Sequence, residues 1–374
     1  MYDVPHLRFP EFSGEWERKR LKDVCNIRTG NKNTQDKSDN GIYPFYVRSQ
    51  IVERINSWTF DGEAILTAGD GVGVGKVFHY STGKIGVHQR VYILSDFKCD
   101  GKYLYSYFAG NFYNRVKRMS AKNSVDSVRM EMIADMPIAL PSIEEQKKIG
   151  HLLALLDDRI ATQNKIIEDL KKLKSAISKQ AFAQKPNGWN RLDTLFSKGK
   201  AGGTPTSTNK EYYNGEIPFL SINDITKQGK YVRYTENHLS RSGLENSSAW
   251  VVPEYSLIIS MCASVGLVTI NEVPITTSQA MFAMQLRDKD LLDYLYYYLS
   301  YFKYRHIHKY LETGTQSNIN ADIVRGIMIP TYGHSRNMKI ASTLQGIDAK
   351  IDNELSVLKL FNRQKNYLLS QMFI

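Results

Sequence analysis

The 374-residue sequence has little of what marks secreted, metal-binding or membrane proteins. Its three cysteines, Cys25, Cys99 and Cys262, lie far apart and form no Cys-x-x-Cys pair, so we expect neither a disulfide framework nor a zinc site. The longest apolar stretch, residues 256–270, is too short to cross a bilayer. The N-terminal residues lack the apolar core of a signal peptide. These absences predict a cytoplasmic protein without a metal or a membrane segment.

Acidic residues are outnumbered by basic ones, which gives a formal net charge of +11 and a pI near 9.3. Such a surplus favours a polyanionic partner, and nucleic acid is the usual one. A merely basic soluble protein is the alternative that charge alone leaves open. The hydrophobic fraction of 42% is ordinary for a folded protein, so disorder is not expected to dominate.

A nucleotide-binding loop is also missing, although the stretch GDGVGVGK at residues 69–76 resembles one. A Walker A loop needs glycine where this stretch has Asp70, and serine or threonine where Val77 follows Lys76. The matching stretch of the second half, residues 256–270, has one glycine and no lysine. We therefore expect no cofactor, and interpret the glycines as a turn between strands that lets the backbone approach another surface closely.

Other catalytic signatures are absent as well. The sequence contains no Asn-Pro-Pro-Tyr motif, no His-x-x-x-His pair and no recognisable setting for a nucleophile. Acidic pairs at residues 144–145 and 157–158 fall on a predicted helix, where they are interpreted as solvated, and Ser142 has the capping-box spacing to Glu145. The chain is therefore expected to be non-catalytic.

The strongest positive signal is an internal repeat of two long amphipathic segments, residues 141–182 and 336–373. Each carries an apolar stripe in alternating steps of three and four, with two polar breaks at matching places, which predicts a coiled coil. In the first segment the stripe is Ile149, Leu153, Leu156, Ile160, Gln163, Ile167, Leu170, Lys174, Ile177 and Ala181. In the second it is Ile340, Leu344, Ile347, Ile351, Glu354, Leu358, Phe361, Lys365, Leu368 and Met372.

The polar breaks suggest a register for this coiled coil. Antiparallel pairing about the matched midpoint predicts that Lys174 faces Glu354 and that Lys365 faces Gln163, an arrangement that penalises slipped registers. The same register places Ile167 against Phe361. The outer faces, which carry lysines such as Lys171, are expected either to be solvated or to pack against helices of a partner.

The segments before the two helices also resemble each other, and each mixes short β-type runs with a tyrosine-rich helix. The predicted fold is α+β, with two similar globules and two long helices related by a pseudo-two-fold repeat. The expected boundaries are globule 1 at 1–141, helix 1 at 142–183, globule 2 at 184–331 and helix 2 at 332–374. The tyrosines are interpreted as packing their helix on a sheet with their hydroxyls outward, rather than as stacking on bases.

Three strings resemble the specificity subunit of type I DNA restriction-modification systems. They are PHLRFPEFSGEWERKRLKDV at the start, LPSIEEQKKIGHLLALLDDRI at the first helix, and GGTPTSTNKEYYNGEIPFLSINDI in globule 2. The resemblance implies two target-recognition domains held apart by antiparallel spacer helices, and binding of double-stranded DNA at an asymmetric bipartite site. It also implies two methylating subunits and up to two restriction subunits as partners. The second helix departs from the pattern, because the stretch that leads into it, PTYGHSRNMKI, has two more residues than the corresponding PSIEEQKKI of the first helix.

Candidate DNA-binding residues are polar loop residues near basic ones. In globule 1 they are Arg48, Ser49, Gln50, Lys76, His88, Gln89, Arg90, Lys122, Asn123 and Ser124. In globule 2 they are Thr204, Thr206, Ser207, Asn223, Asp224, Thr315, Gln316, Ser317 and Asn318. Each is also a residue type that forms turns, so a purely structural role is the alternative.

Two other classes of function stay open at this point. One is an enzyme that reads DNA itself, which the missing cofactor motifs disfavour. The other is a non-catalytic coiled-coil scaffold whose two globules bind something other than DNA, which the charge surplus disfavours.

Overall fold

The computed structural model describes residues 4–119, 127–262, 264–310 and 318–373, without the side chains of residues 309 and 310. The chain divides into two compact units. Unit 1 comprises Met1–Lys165 and Leu355–Ile374, and unit 2 comprises Ile166–Glu354. Each unit therefore combines one globule with parts of both long helices.

The described residues of the globule of unit 1 form ten short strands and three α-helices. The strands are β1 Glu17–Arg20, β2 Asn26–Thr29, β3 Tyr43–Tyr46, β4 Glu53–Ile55, β5 Phe60–Asp61, β6 Ala64–Ala68, β7 Phe78–Ser81, β8 Lys84–Val87, β9 Val91–Ser95 and β10 Pro137–Leu140. The helices are α1 Leu21–Val24, α2 Gly101–Met119 and α3 Met130–Ala134, and the first long helix, α4, follows at Ile143–Phe182.

These strands form two four-stranded sheets, in the orders β2-β9-β6-β7 and β4-β3-β8-β5, and one β1-β10 pair. Helix α2 buries Tyr103, Phe108 and Phe112 in the main core of the unit, which also takes in Leu153 from α4. Fully buried side chains of this size each contribute about 1.5–3 kcal/mol through burial of apolar surface. This core anchors the first sheet, and a second cluster, which includes Leu66 of β6 and Ile85 of β8, packs the other sheet against it. The connecting loops are left for other roles.

The globule of unit 2 repeats this design. Its strands are β11 Gly188–Arg191, β12 Phe196–Ala201, β13 Tyr213–Leu220, β14 Tyr231–Val232, β15 Asn237–Leu239, β16 Leu257–Ser260, β17 Val268–Asn271, β18 Thr276–Thr277, β19 Met281–Leu286 and β20 Met328–Thr331. Its helices are α5 Leu192–Leu195, α6 Ile222–Gln228, α7 Arg241–Glu245, α8 Leu292–Arg305 and α9 Ala321–Arg325, and the second long helix, α10, follows at His334–Met372. The sheet orders β12-β19-β16-β17-β14 and β15-β13-β18 match those of unit 1, with one strand added or missing at an edge.

Tyrosines on helices α2 and α8 bind the last strand of their own globule in the same way in both units. Tyr103 and Tyr294 donate hydrogen bonds to carbonyl oxygens of β10 and β20, each at 2.6 Å. Tyr107 and Tyr298 repeat the contact one turn later, at 2.9 and 3.0 Å. The packing interpretation is confirmed, but the outward orientation predicted for the hydroxyls is wrong for these four. A buried phenol hydroxyl needs an acceptor, and the strand carbonyls supply it.

The two long helices are 40 and 39 residues long and start 191 positions apart, at Ile143 and His334. Every residue of the two predicted stripes is buried or half-buried, whereas most positions between them are exposed. The stretch before the second long helix contains no extra residues, because β10 and β20 end at corresponding places. The apparent difference of two residues arises because Pro330 lies inside β20, whereas Pro141 follows β10. Among the described residues, no helix has both the length and the apolar character that a membrane crossing requires.

An ion pair joins α4 to α10 in each unit, and both pairs fit antiparallel helices. In unit 2, Lys174 Nζ lies 2.5 Å from Asp348 Oδ1, and in unit 1, Lys365 pairs with Asp157. The two pairs correspond to each other under the internal repeat, since the lysines and the aspartates are both separated by the same interval as the helix starts.

These pairs correct the predicted register partners, Glu354 for Lys174 and Gln163 for Lys365. A half-buried ammonium group is best compensated by a carboxylate, and its flexible stem lets it reach an aspartate on the facing helix. Asp157 is therefore not the simply solvated residue that the acidic pair at 157–158 suggested.

We expect the Lys174–Asp348 pair to stabilise unit 2. Both side chains are less than one-third exposed, and Asp348 also accepts a hydrogen bond of 2.8 Å from Tyr297. A double-mutant cycle with Lys174→Ala and Asp348→Ala should give a coupling free energy of about 1 kcal/mol in urea unfolding. The exposed Lys172–Asp169 pair on the same helix is the matched control, and its coupling should be close to zero. Equal coupling in the two cycles would contradict this assignment.

An N-terminal segment, residues 7–12, covers the start of α4 in unit 1. Arg8 binds Glu145 through two hydrogen bonds of 2.8 Å, and the Glu145 side chain is 1% exposed. The backbone N–H of Leu7 donates to Gln371 O at 2.9 Å, which ties the segment to the end of α10. The prediction that Glu145 is solvated is therefore wrong, while its N–H does bond to Ser142 Oγ at 3.3 Å, as a helix cap requires.

Candidate nucleic-acid interface

The candidate residues of globule 1 gather where three strands end. Strands β3 and β8 run parallel, with Phe45 opposite Gly86, so the loops after both strands leave the same edge of their sheet. These loops carry Arg48 and Arg90. The loop after β6 joins them, because Gly69 N–H donates to Arg90 O at 2.8 Å.

Asp70 is the centre of this group, and no local pattern in the sequence indicates this role. Its carboxylate lies 2.9 Å from Arg48 Nη1 and 3.4 Å from Arg90 Nη1. The aspartate side chain is 23% exposed, whereas the arginines are 45% and 63% exposed. One carboxylate thus orients two guanidinium groups and leaves most of their N–H donors facing solvent. We call Arg48, Asp70 and Arg90 the arginine bracket.

The glycine-rich stretch is a turn between β6 and β7, as predicted, and it supports the bracket. Gly71 and Gly75 have φ angles of +77° and +66°, which side chains rarely adopt. A Cβ on Gly73 would lie 2.5 Å from Arg48 O, so the turn can pack against the arginine loop only without a side chain there. Val72, at the tip, is 98% exposed, and Lys76 lies 5.6 Å from the Tyr113 ring centroid.

His88 is buried, which corrects its assignment as a DNA-contacting residue. The residue is only 5% exposed; its Nδ1 accepts from the Arg90 N–H at 3.0 Å, and its Nε2 lies 3.3 Å from Thr34 Oγ1. Burial, followed by the nearby Arg48 charge, lowers the pKa of His88. The neutral ring therefore holds the backbone of Arg90 in place. Gln89 is exposed and donates to Asn33 Oδ1 at 2.7 Å.

The remaining candidates of globule 1 divide into two groups. Ser49 and Gln50 lie in the same loop as Arg48, where Gln50 is exposed and Ser49 donates to Ile51 O at 3.0 Å. Lys122, Asn123 and Ser124 lie outside the described residues.

In globule 2, Thr204, Thr206 and Ser207 form an exposed loop after β12. The loop leaves the sheet at Gly202 and Gly203, where a Cβ would lie 2.0 Å from Thr277 O and 2.3 Å from Ala249 N, respectively. Close approach of the backbone thus fixes the base of the loop and leaves its three hydroxyl groups in solvent.

Asp224 is the second candidate that is buried and not exposed at the surface. It is fully buried as the third residue of α6, where it accepts hydrogen bonds of 2.8 Å and 2.7 Å from the Ser221 N–H and hydroxyl, and one of 3.0 Å from the Glu236 N–H. This is a capping box, and its role is structural. The neighbouring Asn223 is exposed and donates to Glu236 at 3.0 Å.

Gln279 was overlooked as a site residue, although its match to Gln89 in the internal repeat could have indicated it. It is exposed in the turn that follows β18. The half-buried Asn318 lies beside this region, because the next residue, Ile319, donates to Met261 O at 2.9 Å. Thr315, Gln316 and Ser317 lie outside the described residues.

The arginine bracket has an uncharged counterpart in unit 2. Met261 N–H donates to Ala280 O at 2.7 Å, as Gly69 does to Arg90, which places Cys262 at the position of Asp70. Ile222 corresponds to Arg48. Arg48 lies two residues after Tyr46, which pairs with β8, and Ile222 lies two residues after Leu220, which pairs with β18. The same scaffold therefore presents two arginines and an aspartate in one unit, and isoleucine, alanine and cysteine in the other.

Cys262 should be the one fast-reacting thiol. Burial raises the pKa of both Cys25 and Cys99 to about 12, so both remain neutral at pH 8, whereas Cys262 is half-buried at the candidate interface. We expect one rapidly modified thiol per native chain with a disulfide reagent at pH 8, and none in Cys262→Ser. Two or more fast thiols in the native chain would contradict this assignment.

The family described as "Type I restriction modification DNA specificity domain" matches the chain twice, over residues 13–172 and 186–359. The chain belongs to this family. Its two matches coincide with the two globules and the first part of the helix that follows each of them. The α+β fold with an internal repeat and a coiled coil of two long helices is thus the fold of a type I specificity protein.

Individual relatives agree with this assignment. The type I restriction enzyme EcoDI specificity subunit of Escherichia coli is 28% identical over 215 residues, which are 56% of this chain and 47% of that protein. The chain thus spans about half the length of this curated relative. The crystal structure of a type I S subunit from M. genitalium covers 99% of both chains with a TM-score of 0.68 and 14% identity, which shows a shared fold. A second structure, from work on complex assembly of a type I restriction-modification system, covers 99% of both chains with a TM-score of 0.57 and 16% identity.

Proposed function

We propose that this protein is the sequence-specific DNA-binding subunit of a type I restriction-modification complex, acting in the cytoplasm. Each globule is a target-recognition domain that reads one half of an asymmetric bipartite site in double-stranded DNA. The subunit has no catalytic site of its own. It brings together two methylating subunits and up to two restriction subunits, which supply the chemistry.

The observation that carries this proposal is the contrast between the two corresponding surfaces. A repeated scaffold with the same strand order places charged residues at one site and uncharged residues at the other. Two copies of one fold that differ at their loop tips are suited to reading two different sequences. Arginines with free N–H groups match the O6 and N7 acceptors of guanine in the major groove.

The division of labour supports the same proposal. Residues 142–183 and 332–374 are the proposed spacer helices, and residues 1–141 and 184–331 are the proposed recognition domains. The exposed lysines on the outer faces of the helices, such as Lys171 and Lys172, offer contacts for helices of the methylating subunits.

Methylation mapping tests the proposal. The chain is produced in cells together with the methylating subunit of a type I system, and modified adenines are located by sequencing. We expect one asymmetric motif of two short halves separated by a fixed gap. A folded complex that methylates without sequence preference, or a chain that forms no complex, would count against the proposal and favour a scaffold that does not read DNA.

A further inference from the structure

The two units also differ at the start of their long helices. In unit 1, residues 7–12 cover this place, as described above. Besides the Arg8–Glu145 pair, Lys148 pairs with Glu11 and lies over the ring of Phe9, 4.4 Å from its centroid. The core beneath is closed, with Ile149 and Met372 each only 2% exposed.

In unit 2 the corresponding place is an open groove of about 720 Å³. Counting from the helix starts, Arg336 corresponds to Glu145, Lys339 to Lys148, and Ile340 to Ile149. All three line the groove, together with Ile177 and Ala181 from α4. Ile340 and Ala181 are only half-buried, whereas their unit 1 counterparts are buried under the N-terminal segment. The apolar floor and the lysine are thus retained, but no segment among the described residues of unit 2 covers them as residues 7–12 do in unit 1.

The charges of the residues that line this groove determine which kind of segment can bind there. Its lining residues include Arg336, Lys339 and His334, and none of them carries a carboxylate. Arg336 stands where unit 1 has the carboxylate of Glu145, and it donates a hydrogen bond to Gln184 Oε1. Because this acceptor is neutral, the charge of Arg336 is not compensated, and a segment with an arginine like Arg8 would be repelled. A segment with an acidic residue at that position and another opposite Lys339 would be attracted.

We propose that this groove binds an extended segment of another protein that carries aromatic residues flanked by two carboxylates. Its aromatic side chains cover Ile340 and Ala181, as Phe9 covers the start of α4 in unit 1. Its carboxylates pair with Lys339, as Glu11 does with Lys148, and with Arg336 in place of the Arg8–Glu145 pair. This docking surface is independent of DNA reading by the loops.

Peptides based on the chain's own segment test the proposal by fluorescence anisotropy with the full chain. The first labelled peptide is PHLRFPEF, which is residues 5–12, and the second is PHLEFPEF, in which the Arg8 position is glutamate. We expect the second peptide to bind about tenfold or more tightly than the first, since it exchanges a repulsive for an attractive charge. A third peptide, PHLEAPEA, should lose most of this binding, because it lacks the aromatic side chains.

Variants of the chain locate the binding site. Lys339→Glu and Arg336→Glu should each weaken binding of PHLEFPEF by about tenfold or more, whereas Lys172→Glu, on an exposed face of α4, should have no effect. Circular dichroism confirms that each variant is folded.

Three results would overturn the proposal. One is equal binding, or no binding, of the first two peptides. Another is tighter binding of PHLRFPEF, which would indicate the N-terminal segment of a second copy as the occupant. The third is loss of duplex affinity in the Lys339 and Arg336 variants without loss of peptide binding, which would make the groove a DNA phosphate contact.

Discussion

Replacing Arg48 with alanine should relax sequence preference in one half of the methylated site and leave the other half unchanged. A bidentate arginine contact to guanine contributes about 1–3 kcal/mol of discrimination, so preference at that base pair should fall by about 5-fold to 150-fold. Arg90→Ala should act on the same half. Asp70→Asn keeps the shape but removes the charge that orients both guanidinium groups, so it should weaken preference at both of their positions.

Controls separate base reading from general weakening. Lys84→Ala removes a basic side chain at the opposite end of β8, where it lies 4.9 Å from the centroid of the Trp58 ring, and should leave the motif unchanged. Gln279→Ala, on the corresponding turn of unit 2, should change only the other half. Sequencing of modified adenines after growth with each variant gives the motif. If Arg48→Ala lowered total methylation but kept the motif intact, the arginine bracket would be a phosphate contact and not a reader of bases.

Arg8→Ala should produce the largest loss of stability among single substitutions outside the hydrophobic core. The variant leaves the buried carboxylate of Glu145 without its partner, and breaking a buried pair in this way costs about 3–5 kcal/mol. The hydrogen bonds to Glu145 raise the pKa of Arg8, as expected for a cation stabilised in the fold. Urea unfolding followed by tryptophan fluorescence measures the loss, since Trp16 lies in the core of unit 1.

The loss should come from the carboxylate that is left buried without its partner, and a second substitution tests this origin. The double variant Arg8→Ala/Glu145→Leu should recover much of the stability. Lys19→Ala, which removes an exposed ion pair with Glu17, should change the free energy of unfolding by less than about 0.5 kcal/mol. No recovery of stability in the double variant would contradict the role given to the buried pair.

Much of the architecture was predictable, because periodic patterns determine it. The matched stripes from Ile149 to Ala181 and from Ile340 to Met372 show the period of an α-helix, which is visible in the sequence without knowledge of the fold. The glycine turn was also predictable, since a repeat that lacks the glycines and lysine argues against a phosphate loop. Register partners were not, because a repeat shows which residues correspond but not how far one helix is shifted along the other. Lys174 and Lys365 pair with Asp348 and Asp157, not with the residues that the matched midpoint predicts.

The candidate site was harder to predict than the fold. His88 and Asp224 are polar loop residues by sequence, yet one supports a backbone turn and the other caps a helix. Asp70 was missed because its partners, Arg48 and Arg90, are each about 20 residues away and meet it only when three strands end together. Side chains that act through tertiary contacts leave no local pattern in the sequence.

An exchange of one globule tests the central claim most directly. Residues 1–141 are replaced by the corresponding region of another family member of known specificity, and the motif methylated by the hybrid complex is mapped. Reading of one half-site by each globule predicts a motif in which one half changes to that of the donor, while the other half is retained. A change in both halves, or in neither, would contradict it.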